Sequence, residues 1–125
     1  MLRFRFALNA LLLAILTAGC TDVLGPGYLS IRVRNAGPVA FDVATLGFRD
    51  QTVQYGRLAA GEATSYRSVR FAYSYAYVEV EAAGRRFTRV PIDYVGETPL
   101  ARGSYTFEIA LDLESGELTQ RAIRD

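Results

Sequence analysis

The chain has 125 residues, half of them hydrophobic and 22% charged, the balance of one globular domain rather than a disordered chain. Its net charge is +1 and its fourteen basic residues, all arginine, are scattered, so it carries no basic field suited to nucleic acid. It has one cysteine, Cys20, and no histidine; this excludes an internal disulfide, a multi-thiolate metal site and histidine-based acid–base chemistry.

The first twenty residues, MLRFRFALNALLLAILTAGC, divide into three parts. Arg3 and Arg5 give a positive start, residues 7–16 form an apolar run, and Thr17, Ala18 and Gly19 are small residues ahead of Cys20. A spanning helix needs about 20 apolar residues, so the run is too short to cross a bilayer and its flanks suit a secretory signal. LTAGC resembles the lipobox of bacterial lipoproteins. Ala18-Gly19-Cys20 match that pattern; Leu16 falls one place early, with Thr17 in the aliphatic position. The resemblance implies that residues 1–19 are removed as a signal peptide. It also implies that the Cys20 thiol takes a diacylglyceryl group and that the new amino terminus is acylated, with palmitate-like chains in the bilayer. Two or more acyl chains hold where one does not, at about 0.8 kcal/mol per buried CH₂. Without Arg3 and Arg5 the net charge falls from +1 to −1, so attachment is expected through lipid rather than charge. Thr21, not aspartate, follows Cys20, which by the lipoprotein sorting rule favours the outer membrane of a diderm cell.

Residues 20–27, the lipidated cysteine with TDVLGPG, form the expected tether, because Gly25-Pro26-Gly27 holds neither a helix nor a central strand. Residues 28–125 then read as a single domain. Hydrophobic residues recur with period two, interrupted by turns. Strands are predicted over 28–34, 39–48 (Phe41 and Val43 inward, Asp42 outward), a weaker 51–55, 64–69, 71–81 as the longest, 85–92, 104–112 and 117–123. Ala82-Ala83-Gly84 is predicted to turn the chain between 71–81 and 85–92. The expected fold is all-β: an antiparallel β-sandwich of about seven strands, immunoglobulin-like or transthyretin-like. PLARGSYTFEI resembles the Leu-x-x-Gly-x-Tyr entry to a late strand of many bacterial β-sandwiches. That resemblance implies that Tyr105 closes a corner by bonding its hydroxyl to nearby backbone. YGRLAAGEATSY, YAYVEV, PIDYVGETPL and GSYTFEI together are similar to small lipoproteins without known activity.

The stretch FAYSYAYVEV, 71–80, carries the main candidate surface. Val78 and Val80 belong to the core and Glu79 and Glu81 to water, so alternation sends Tyr73, Tyr75 and Tyr77 to the exposed face, about 6.6 Å apart. Arg85, Phe87 and Arg89 of the next strand are expected beside them. Aromatics among Arg and Glu suit a sugar, a peptide or a protein; the same tyrosines also suit the margin of a core. Asp93 and Glu97 in PIDYVGE offer two carboxylates for a cation or a hydrolase, with no second motif to support either, and no metal or other cofactor is expected. Ser65, Ser68 and Ser104 lack the context of a catalytic nucleophile. The expectation is a non-enzymatic lipoprotein domain of the cell envelope. Its partners would be the bilayer, through Cys20, and another envelope protein or a glycan.

Overall fold

The structure, a computed structural model, describes residues 28–49, 51–91 and 98–125. Eight strands follow one another: β1 (Leu29–Asn35), β2 (Val43–Phe48), β3 (Gln51–Tyr55), β4 (Arg67–Val69), β5 (Tyr77–Ala82), β6 (Arg85–Arg89), β7 (Ser104–Asp112) and β8 (Glu117–Arg124). They form two four-stranded sheets, ordered β4-β1-β7-β8 and β3-β2-β5-β6. The sandwich is as the periodicity predicts, with eight strands rather than seven. One pair departs from an antiparallel layout: β1 and β7 run parallel, from Ser30 opposite Ser104 to Asn35 opposite Ile109. The described residues contain no helix.

The core is what alternation delivers from both inner faces. Ile31 and Val33 of β1 and Phe107, Ile109 and Leu111 of β7 face Leu46 of β2 and Val78 and Val80 of β5, all buried. Phe107 meets Phe48 edge-on across the gap, with ring centroids 5.6 Å apart. The β5–β6 hairpin turns through Ala83 and Gly84, both at positive φ, the geometry that matches strand twist in a two-residue turn.

Two segments depart from the expected strands. Residues 39–42 lie outside β2: Phe41 instead makes an isolated bridge with Leu58. The Asp42 amide donates to the Glu81 carbonyl at 2.7 Å, and Val43 also pairs with Glu81. Two residues oppose one, as in a bulge, and the register slips. Phe41 is therefore buried as expected, but Val43 turns outward and Ala44, Leu46 and Phe48 point in. The second departure is 71–76, which precedes β5 without joining the sheet. There Ala72 accepts a bond from the Leu100 amide (2.8 Å), and the Gln120 side chain both accepts from the Ala76 amide (2.9 Å) and donates to its carbonyl (2.6 Å). A side-chain amide from β8 does here what a neighbouring strand would do, and β5 is left six residues long.

Tyr105 closes the corner that its sequence context predicts: its hydroxyl donates to the Ala101 carbonyl at 2.6 Å. Tyr105→Phe is expected to cost about 1 kcal/mol of stability in urea unfolding, the worth of one net hydrogen bond. An unchanged midpoint would make the corner a consequence of the fold rather than a contributor.

Candidate functional site

The tyrosines of 71–77 divide into three environments. Tyr77 stands on the outer face of β5, directly opposite Gly47 of β2. A Cβ added at Gly47 would fall 3.2 Å from the Tyr77 Cβ and 3.3 Å from its ring, so the phenol occupies the space that glycine leaves. The Tyr77 hydroxyl donates to Glu79 at 3.3 Å, and partial burial, then the Glu79 charge, push its pKa up. Arg86 closes this face with ion pairs to Glu79 (2.8 Å) and Glu81 (3.2 Å). Tyr73 packs perpendicular to Phe71, centroids 4.7 Å apart, and the Arg49 guanidinium lies 5.2 Å from the Phe71 ring. Tyr75 is the open one, with 49% of its surface exposed. Alternation thus survives, with Ala72, Ala76, Val78 and Val80 inside, but the three phenols do not form one evenly spaced row. Only Tyr77 belongs to a strand.

The second half of the expected face is corrected. Arg85, Phe87 and Arg89 do not stand beside the tyrosines. The two-residue turn pairs Ala82 with Arg85, and so Val80 with Phe87 and Val78 with Arg89. Paired residues share a face, so Phe87 inherits the core side of Val80 and is only 6% exposed. Arg85 covers the Phe87 ring at 4.8 Å, and Arg89 donates to the Leu118 carbonyl of β8 at 2.7 Å. Arg86 and Thr88 take the tyrosine side instead. Cys20, Asp93 and Glu97 lie outside the described residues. Among those described, no group of three or more acidic or thiol side chains could hold a metal ion.

A polar cluster on the outer face of the β4-β1-β7-β8 sheet was not visible in the sequence. Thr106 of β7 accepts from Arg32 Nε of β1 (2.9 Å) and donates to the Asp125 carboxylate (2.8 Å). Tyr66 donates to the same carboxylate at 2.6 Å, and the Arg32 guanidinium lies 4.7 Å from the Tyr66 ring. The Tyr66 hydroxyl, then Thr106 and Arg32, hold the Asp125 carboxyl below its ordinary range; the bond to Asp125 raises the Tyr66 pKa in turn. Alternation places Arg32 and Thr106 outward, but only the parallel β1–β7 pairing sets them opposite each other. The cluster is internally satisfied, so it ties four segments together rather than waiting for a ligand.

No protein-family model matches the chain, and no curated protein matches its sequence. A solved structure does match, the NMR structure of a protein from Eubacterium rectale, at a TM-score of 0.57 and 17% identity. The alignment covers 86% of this chain and 97% of that one. The likeness is one of fold. It supports the sandwich and carries no activity with it.

Proposed function

We propose that the chain is a lipid-anchored, non-catalytic domain of the cell envelope that binds or scaffolds another envelope component. Two features support this reading: the LTAGC pattern ending at Cys20, and an aromatic ledge over residues 71–75, where Phe71 packs against Tyr73 and Tyr75 is left exposed. The ledge is the observation that carries the binding half. Its backbone is pinned at Ala72 and Ala76, so Tyr75 presents a half-exposed ring from a fixed base. Rigid, amphipathic tyrosines of this kind concentrate binding energy at interfaces. Outer-membrane placement follows from Thr21 after Cys20 if the cell has two membranes.

Two measurements in the native host test the two halves. Cys20→Ser is expected to move the protein from the membrane to the soluble fraction and to remove its acyl mass; a variant that stays with the membrane would refute the anchor. A photo-crosslinking amino acid at position 75 is expected to give adducts of discrete mass in intact cells, and its absence would refute the ledge. A glycan on the same ledge would show instead as saturable quenching of tyrosine fluorescence that Tyr75→Ala abolishes.

A further inference from the structure

A second surface lies at the end of the β4-β1-β7-β8 sheet away from the point where the chain enters β1. The loop after β1 and the end of β7 border an open cleft of about 570 Å³ there, within the range of about 300–1,000 Å³ that ligand clefts occupy. Its apolar walls come from Pro38 and Val39 on one side and Ala110, Leu111 and Leu113 on the other. Among the described residues, Leu113 is one of the few large apolar side chains left exposed, at 37%. Its rim carries Asp112, Glu114 and Glu117, and none of the described arginines lines it. Among the described residues, Glu114 and Glu117 have no ion-pair partner.

Both walls are held in advance. The buried Asn35 side chain donates to the Val39 carbonyl (2.7 Å) and the Leu58 carbonyl (3.1 Å) and accepts from the Gly37 amide (3.1 Å). The Ala36 amide donates to the Ile109 carbonyl at 2.8 Å, which seats the loop on β7. Across the cleft, the Asp112 carboxylate accepts from the Glu114 amide at 3.0 Å, and the Asp112 carbonyl accepts from the Gly116 amide at 2.8 Å. An occupant would therefore meet a formed cleft and would not have to order one.

We infer that this cleft docks an extended polypeptide segment of a partner protein, one that places aliphatic side chains next to arginine or lysine. Charge complementarity selects that chemistry. Apolar walls take the aliphatic groups, while unpaired carboxylates along the rim attract cations and repel acidic segments. The carboxylates follow the turn and do not converge on a point where a metal ion could sit, so they suit charges spaced along a chain. An anionic lipid surface would be repelled. The cleft also sits about 20 Å along β1 from Leu29, at the far end from the expected tether, where a partner off the membrane can reach it. The walls and charges of the cleft are independent of the Tyr75 ledge and of lipid at Cys20; only the significance of its position rests on the proposed anchor.

Fluorescence anisotropy on the full chain in detergent tests it. The probes are a fluorescein-labelled peptide of alternating leucine and arginine, its leucine–glutamate counterpart and an all-arginine peptide. Saturable binding of the leucine–arginine peptide is expected, about tenfold weaker in Leu113→Glu and again in the Glu114→Gln/Glu117→Gln double variant. The leucine–glutamate peptide should not bind, and the all-arginine peptide should bind more weakly and lose more to added salt. Equal binding by wild type and variants, or equal binding of the two arginine peptides, would overturn the assignment. So would a dimer of the protein alone that Leu113→Glu dissociates, because the cleft would then belong to a second copy of the chain.

Discussion

Phe107→Ala is expected to remove about 3–5 kcal/mol of stability, the usual range for deleting a fully buried aromatic ring. Phe107 has no exposed surface and stands at the middle of β7, between Val33 of β1 and Ala122 of β8. Its ring reaches across to Phe48 of the opposite sheet, so it is one of the side chains that set the spacing of the two layers. Its neighbours cannot fill the hole. Ala122 is too short, and Val33 is held by the β7 ladder on one side and by two hydrogen bonds to Thr64 on the other. A domain of this size has about 5–15 kcal/mol in total, so the variant would keep a fraction of it and melt far lower. Urea unfolding followed by circular dichroism measures the loss. Phe107→Leu, which keeps most of the volume, should lose less than half as much. A loss below about 1 kcal/mol for the alanine variant would mean that the sheets close over the site, against the rigidity of packed interiors.

How far the sequence discloses this molecule depends on the range of the interaction involved. β7 is bounded as its alternation predicts, at Ser104 and Asp112, because nine residues of strict period two end in turn chemistry on both sides. Tyr105 is legible for the same reason, since its bond to Ala101 spans only four residues. Failures occur where a distant partner decides. Alternation runs unbroken through 71–81, but it reports only which side chains are buried. Whether 71–76 is a strand depends on Gln120, 44 residues downstream from Ala76, occupying its backbone groups. Phe87 departs from its expected face because both its strand and its neighbour alternate, and the face it takes is fixed by the turn: two residues put it inward, one or three would put it outward. The parallel pairing of β1 with β7 left no local trace, and with it went the Arg32–Thr106–Asp125 cluster. The acidic cleft was hidden for a similar reason, since the loop after β1 and the end of β7 are brought together only by that pairing.

Tyr55 offers a test of the sandwich that pH can read. It stands on the edge strand β3, yet its side chain crosses the core and donates to the Ile31 carbonyl of β1 in the other sheet, at 2.7 Å. Arg67 of β4 lies 4.9 Å from the ring. Burial pushes the phenol up to about 12, because a phenolate there would lose its hydration; the Arg67 charge pulls the other way and does not prevail. Tyr55→Phe is expected to cost about 1–2 kcal/mol near neutral pH, since it removes a buried hydrogen bond between the two sheets. The direction of the pH effect follows from the raised value. Below about pH 10 the phenol is protonated in both the folded and unfolded chain, and its contribution is fully present. Between about 10 and 12 the unfolded chain releases this proton while the folded chain retains it, so stability falls as pH rises. Two units correspond to roughly 2.7 kcal/mol at most. Tyr66 and Tyr77 also hold their protons more tightly, so wild type alone would mix several titrations. The difference between wild type and Tyr55→Phe isolates one. That gap, measured by urea unfolding from pH 8 upward, is expected to be constant to about pH 10 and then to close. A gap that stays constant through the alkaline range would place the hydroxyl in water and remove the bond between the sheets.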